Sequence, residues 1–467
     1  MDKNVYSAFI DSCREDMIEA VRALVSIPSV EGEPEPGMPY GKEPYRALMK
    51  CREMAEALGF RTCVVGDRVL EVDLNDKEPE LGIIAHLDIV AADGWKHDPF
   101  TMRLENGVMI GRGVADDKGP LVSALWALKA VKECAPPLSK GVRLLFGTAE
   151  ETSCDDLAYY MNVRKMPPYS FAPDAHYPVH NTEKGIFTPK FSRSWAKSDS
   201  LPRVAELHGG RAHNAVPASA EARLLGLSAE SVRPFAEKAE RETEATFTLS
   251  EENGSLRIMA SGKSNHVCRP WNGCNAQTAL LSLLAALPLA DIPSSEAIRA
   301  LNECFPHGDH YGEAIFPEKR EDELTGPLSV SFSVLSLTEE GFTAQCDCRC
   351  PLCCTQENTA EPMLAKLRQS GFTLCGMEKL TPGHHTPADS PLCTALNRVY
   401  EEYTGLPGAC EAIGGFTYVH NVPGGVAFGA ALPGVDPHFH AEDEWFSVDD
   451  MLLNANIFAA AITELCR

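Results

Sequence analysis

Residues 111–151 read GRGVADDKGPLVSALWALKAVKECAPPLSKGVRLLFGTAEE. Leu121, Leu125, Leu128 and Val131 recur at helical spacing, and Pro136 and Pro137 end the run, which predicts a helix over 118–134. The apolar run 142–147 has the length of a strand. A glycine-rich turn carrying the adjacent acids Asp116 and Asp117 leads into the helix, and a second adjacent pair, Glu150 and Glu151, leaves the strand. Upstream, the short apolar runs 61–65, 69–74 and 81–87 read as further strands. Strands alternating with helices predict an α/β sheet with helices on its faces.

Working outward, amphipathic helices are expected near 8–24 and 45–58, separated by the Gly- and Pro-rich loop EGEPEPGMPYG. Near residue 190 the character changes. Segments 187–205 and 246–260 read as antiparallel strands, 229–243, 276–287 and 361–369 as helices, and 328–337 with 341–350 as a hairpin. From Pro387 the α/β pattern returns, with helices at 392–403 and 448–466. The expected organisation is an α/β domain over 1–187 and 386–467, interrupted by an inserted α+β domain over 188–385. A chain of 467 residues is long enough for two such cores.

Hydrophobic residues form 44% of the chain and charged residues 23%, an ordinary globular composition. The net charge of −24 argues against a nucleic-acid footprint, which needs a basic face. The start, MDKNVYSAFIDSCREDM, has no basic stretch followed by an apolar one, and the greasy run 276–290 is too short to span a bilayer. No membrane association and a cytoplasmic location are therefore expected. An odd 17 cysteines argue against a disulfide framework. Cys346, Cys348 and Cys350 alternate as the buried face of a strand would, which outweighs a structural metal site among them, Cys353 and Cys354.

The chemistry-bearing residues fall at predicted strand ends. His86 and Asp88 are two apart, so on a strand they share a face, as a metal ligand and its orienting carboxylate require. Asp116 and Asp117 lie at the edge of the sheet where α/β folds bind ligands. Glu150 and Glu151, on an extended segment, would point apart and can take different tasks. Asp174 follows the apolar run 169–172, and His438 and His440 lie two apart near the C-terminus. None is decisive alone; histidines mixed with carboxylates are together the ligand set of zinc or manganese rather than calcium.

The phrases HLDIV, DPF, GRGVADDKG, TAEE, PDAHYP, TEKG and HAEDE occur here in the order of the aminoacylase/carboxypeptidase/dipeptidase superfamily of di-zinc peptidases, which the chain resembles over nearly its whole length. ADDKGP, HTPADSPL at 385–392 and the long insert look most like the dipeptidase V branch. The resemblance implies a di-metal exopeptidase catalytic domain with an inserted lid. It implies that His86 and Asp174 hold one divalent ion and Glu151 and His440 the other, with Asp116 bridging and Asp117 not a ligand. The ions would be zinc, with manganese or cobalt as alternatives, and the Asp116–Asp117 bond would be cis. Asp88 would orient His86, and Glu150 would be the general base for a metal-activated water. His440 is preferred over His438 because it opens the HAEDE phrase; His438, on the same expected strand face, is the fallback.

In the insert, GKSNHVCRPWNGCNA resembles the lid motif, so His266 would donate to the oxyanion. Arg349, facing opposite the alternating cysteines, would clamp the substrate carboxylate, and Asn214 in GGRAHNAVP would touch the substrate backbone. Gly414 and Gly415 would line the same pocket. His97, His176, His180, His208, His213, His384 and His420 read as structural or surface groups. The expected activity is hydrolysis of dipeptides with a free C-terminal carboxylate, by a monomer, with a homodimer as the alternative. A desuccinylase or N-acyl-amino-acid deacylase is the nearest other reading, and an inactive metal- or peptide-binding scaffold the reading of a different class.

Overall fold

The structure is a computed structural model that describes residues 4–467, with side chains described from Tyr6 onward. The first three residues of the stretch read as lacking a secretion signal lie outside the described residues. The chain divides into two compact units, Met1–Glu183 with His384–Arg467, and Lys184–Gly383. The boundaries expected at 187/188 and 385/386 fall a few residues after these.

In the first unit, nine strands among the described residues form one mixed sheet. Its centre is a parallel set in the order Gly141–Gly147, Pro79–His86, Tyr169–Ala172, Val426–Phe428. Alternation along Pro79–His86 divides its side chains between two cores. Leu81, Ile83 and Ala85 join the large core beneath helices Lys118–Cys134 and Val448–Cys466, while Ile84 joins a smaller core with Leu145, Leu157, Tyr160 and Tyr418. His86 has the parity of Ile84, and its ring lies edge-on to Tyr418 at 6.3 Å. Helix Lys118–Cys134 is buried on nearly every face, polar Lys118 and Ser123 included, because other helices cover the face turned from the sheet.

Two local differences from expectation have physical causes. The helix expected over 8–24 is two helices, Asn4–Ser12 and Arg14–Val25. Where they part the turn tightens: Cys13 N–H is shared between Phe9 O at 3.2 Å and Ile10 O at 3.0 Å, and Ser12 Oγ also donates to Phe9 O at 2.6 Å. Helix Asp155–Val163 is absent from the sequence expectation, because its buried apolar face is only Leu157 and Tyr160.

The second unit carries a nine-stranded antiparallel sheet among the described residues, with strands Ser329–Thr338 and Gly341–Cys350 near its middle. Helices Ala229–Thr243, Ala276–Ala286, Pro293–Cys304 and Glu361–Gln369 supply its core, together with Cys346, Cys348 and Cys350 on one strand face. Asp347 and Arg349 alternate with these cysteines and are also buried. Strand Ser219–Leu225 and helix Pro293–Cys304 add to the elements expected from sequence. No helix among the described residues is long and apolar enough to cross a membrane.

His180, on strand Val179–Glu183, is buried, and its Nδ1 has no hydrogen-bond partner among the described residues. Burial, with His176 nearby, pushes it down to about 4. The unfolded chain therefore binds a proton that the folded chain refuses, so stability is full above the ordinary histidine value and is lost as pH falls toward 4. A depression of this size corresponds to about 3 kcal/mol. His180→Gln should flatten this part of the stability–pH curve between pH about 6.5 and 4, measured by urea unfolding. An unchanged slope would show that His180 does not carry it.

Candidate metal centre and active site

The parallel strands of the first unit deliver their residues to one edge of the sheet. Strand Pro79–His86 ends on His86, strand Gly141–Gly147 runs into Glu150 and Glu151, and strand Tyr169–Ala172 runs into Asp174. The register pairs His86 with Gly147 and Ile83 with Phe171, so the strand Tyr169–Ala172 ends about two residues short of His86 and the residues beyond it, Asp174 among them, come level with it. Asp116 arrives from the loop before helix Lys118–Cys134, and its peptide bond to Asp117 is cis.

Asp116 is the centre of the cluster. Its Oδ1 is 3.0 Å from His86 Nε2 and its Oδ2 is 2.9 Å from His440 Nε2. His86 Nε2 is also 3.7 Å from Asp174 Oδ2, and His440 Nε2 is 3.2 Å from Glu151 Oε2. Among the described residues, two groupings bring ligand atoms within 4.8 Å of one another: His86, Asp116 and Glu151, and His86, Glu150 and Asp174. Asp117 belongs to neither; its Oδ2 accepts the His86 backbone N–H at 3.2 Å. His86 Nδ1 is 3.0 Å from Asp88 O and 3.6 Å from Asp88 Oδ1. If Nδ1 carries the proton toward Asp88, Nε2 is left as a lone pair facing the carboxylates.

Two expectations of local geometry need correction. Glu150 and Glu151 lie in a turn rather than on an extended segment, yet they still enter different groupings. His438 and His440 do not share a strand face: they lie in a loop, with φ of 60° and 63°. The loop is closed by Trp445 N–H donating to Pro437 O at 3.0 Å, and Phe439 packs edge-on to His176 at 5.5 Å. His438 instead approaches Asp443 at 2.9 Å.

Sequence reasoning assigns no role to Glu444 or Arg112. Fully buried Glu444 accepts from Arg112 Nη1 at 2.7 Å and Gly113 N at 3.0 Å through Oε2, and from Ala115 N at 2.9 Å and Asp116 N at 3.1 Å through Oε1. Arg112 Nη2 donates to His440 O at 3.1 Å, so one ion pair ties the Asp116 loop to the His440 loop. The signal in sequence is only that HAEDE has more acids than a ligand set needs.

Burial pushes the carboxyl groups of Glu150 and Asp174 well up, and the neighbouring carboxylates add to it. Burial opposes protonation of His86, and partial desolvation that of half-exposed His440, but Asp116 and the other facing carboxylates outweigh this and raise both. The same two imidazoles hold Asp116 well below the usual carboxylate range, against its burial. The cluster thus concentrates negative charge that calls for cations. Divalent ions would satisfy several carboxylates at once and let both imidazoles ligate in neutral form.

The three residues assigned to substrate lie on the second unit. His266 forms a short antiparallel bridge with Ala215, next to which Val267 N–H donates to Asn214 O at 3.2 Å. Arg349 is buried on strand Gly341–Cys350, where its Nε and Nη2 donate to Asp347 at 2.8 and 3.2 Å. Asp347 also lies 3.2 Å from His213 Nδ1, a partner that the sequence does not disclose. Gly414 and Gly415 follow strand Cys410–Ile413 in the first unit.

Comparison with known proteins agrees with this geometry. The family model of peptidase family M20/M25/M40 matches residues 82–464. The chain is 32% identical over 463 residues to YtjP of Bacillus subtilis (strain 168), provisionally named a dipeptidase, covering 97% of this chain and 98% of the relative. It is 32% identical over 474 residues to the β-Ala-Xaa dipeptidase of Lactobacillus delbrueckii subsp. lactis, covering 100% and 98%. Human carnosine dipeptidase 1 shares the fold with a TM-score of 0.62 at 14% identity, over 100% of this chain and 99% of that one. The chain belongs to peptidase family M20/M25/M40 and is a metallopeptidase of that family.

Proposed function

We propose that the chain is a metal-dependent dipeptidase hydrolysing dipeptides with a free C-terminal carboxylate. The observation that carries the metal chemistry is Asp116, whose two oxygens each meet a different histidine at 3.0 and 2.9 Å. Full-length similarity to two dipeptidase relatives supports the substrate class. His86 and Asp174 would hold one divalent ion, Glu151 and His440 the other, and Asp116 both. The mix of imidazole and carboxylate donors suits zinc, with manganese or cobalt as alternatives. When bound, such ions would supply Lewis-acid polarisation of the scissile carbonyl and a lowered pKa for the attacking water.

Glu150 takes a proton from that water and returns it to the leaving amine. Burial raises its proton affinity, and divalent ions held by the neighbouring carboxylates would lower it again. Asp88 holds the His86 ring through Nδ1. On the second unit we assign the oxyanion donor to His266, a substrate-backbone contact to Asn214 and the carboxylate clamp to Arg349. The paired Asp347 pre-orients the Arg349 guanidinium, at some cost to its net charge. A cytoplasmic, monomeric enzyme completes this reading.

Glu150→Gln should lower kcat by about 10²–10⁴-fold while metal content per chain stays at the wild-type value. Wild-type turnover in that variant sinks the assignment of the base. Chelation should abolish activity, and re-addition of zinc, manganese or cobalt should restore it, with dipeptides cleaved ahead of tripeptides, N-acetyl and N-succinyl amino acids. Preference for a succinylated or acylated substrate would move the reading to a desuccinylase or deacylase. Absence of turnover on the whole panel would favour a binding scaffold.

A further inference from the structure

Glu150 sits in a turn whose backbone is held from both sides by carboxylates. Thr148 N and Ala149 N donate to Asp156 Oδ2 at 2.6 and 3.0 Å, and Glu151 N donates to Asp88 Oδ2 at 3.0 Å. Asp156, fully buried at the start of helix Asp155–Val163, also accepts Tyr418 Oη–H on the same Oδ2 at 2.5 Å. Its other oxygen, Oδ1, accepts Leu157 N at 2.6 Å, so only one side of the carboxylate serves its own helix. The Tyr418 ring is edge-on to His86 at 6.3 Å. A Cβ on Gly147 would collide with both Tyr418 Oη and Asp156 Oδ2, so the clamp closes directly on the backbone.

The clamp has its own anchor. Tyr418 opens the short helical turn Tyr418–Asn421, and the flanking residues are fastened to Glu183 of the TEKG phrase. Thr417 Oγ1 donates to Glu183 Oε1 at 2.7 Å, and His420 Nδ1 lies 3.0 Å from Glu183 Oε2. Phe416 stacks on His420 at 4.1 Å.

The geometry points to Asp156 and Tyr418 as positioning residues that set the aim of Glu150. This rests on the assignment of Glu150 as the base. A helix cap alone would not need Tyr418, nor an oxygen turned across to residues 148 and 149. The pair holds the two amides that precede Glu150, while Asp88 holds the one that follows.

The test is steady-state kinetics with metal analysis on Tyr418→Phe, Asp156→Asn and Asp156→Ala. Tyr418→Phe removes one oxygen and keeps the ring, and should lower kcat about 10-fold or more with KM and metal content unchanged. Asp156→Asn keeps an acceptor for the two amides and should retain more kcat than Asp156→Ala. The double variant Tyr418→Phe/Asp156→Ala should lose no more than Asp156→Ala alone, because both act through one contact. Wild-type kcat in Tyr418→Phe, or full recovery of kcat on metal saturation, overturns the proposal. Should Asp156→Ala not fold, Tyr418→Phe decides by itself. Glu150→Gln run alongside separates the two claims: if it is inactive while Tyr418→Phe is fully active, the clamp fails and the base assignment stands. If Glu150→Gln is active, the base assignment fails.

Discussion

Asp116 must face two imidazoles at once, and a side chain on a mobile loop could not keep both contacts. The Glu444 carboxylate removes that freedom by taking three backbone amides of the loop and the Arg112 guanidinium together. Burying such an ion pair costs desolvation that its Coulomb attraction roughly repays, so the pair is a poor source of stability. What it provides is registration: the loop bearing Asp116 and the loop bearing His440 are tied through the same arginine.

The sheet contributes the other half of the alignment. Parallel strands place their carboxyl ends at one edge, and strand alternation decides which side chain turns to which face. His86 belongs to the same face as Ile84, where Tyr418 meets it, while Ile83 and Ala85 commit the opposite face to the helical core. Shifting that strand by one residue would exchange the two faces and remove the histidine from the cluster.

Much of this was legible in the residues because it is local. Helices 118–134, 229–243, 361–369 and 448–466 announce themselves by apolar periodicity, and their observed spans agree. His86, Asp116, Glu151, Asp174 and His440 were legible as a set through motif order, and the structure brings them together. Glu444, Asp156 and Tyr418 were not. Each is defined by partners far away in the chain or across a turn, and nothing local separates an acid that turns inward from one on the surface. The loop around His440 escaped for a similar reason: alternation mimics a strand, but positive φ at two histidines belongs to a tertiary loop.

The first unit is built from two stretches of chain separated by the whole of Lys184–Gly383. During synthesis, His86, Asp116, Glu151 and Asp174 emerge long before His440 and Glu444. Until those last residues arrive, the Asp116 loop lacks the carboxylate that holds it and the strand Val426–Phe428 is missing from the sheet. The second unit has its own core and can fold in the interval. The order of the chain thus leaves Asp116 without its second imidazole until the stretch beyond the second unit has left the ribosome, and a product truncated before His440 would lack that contact altogether.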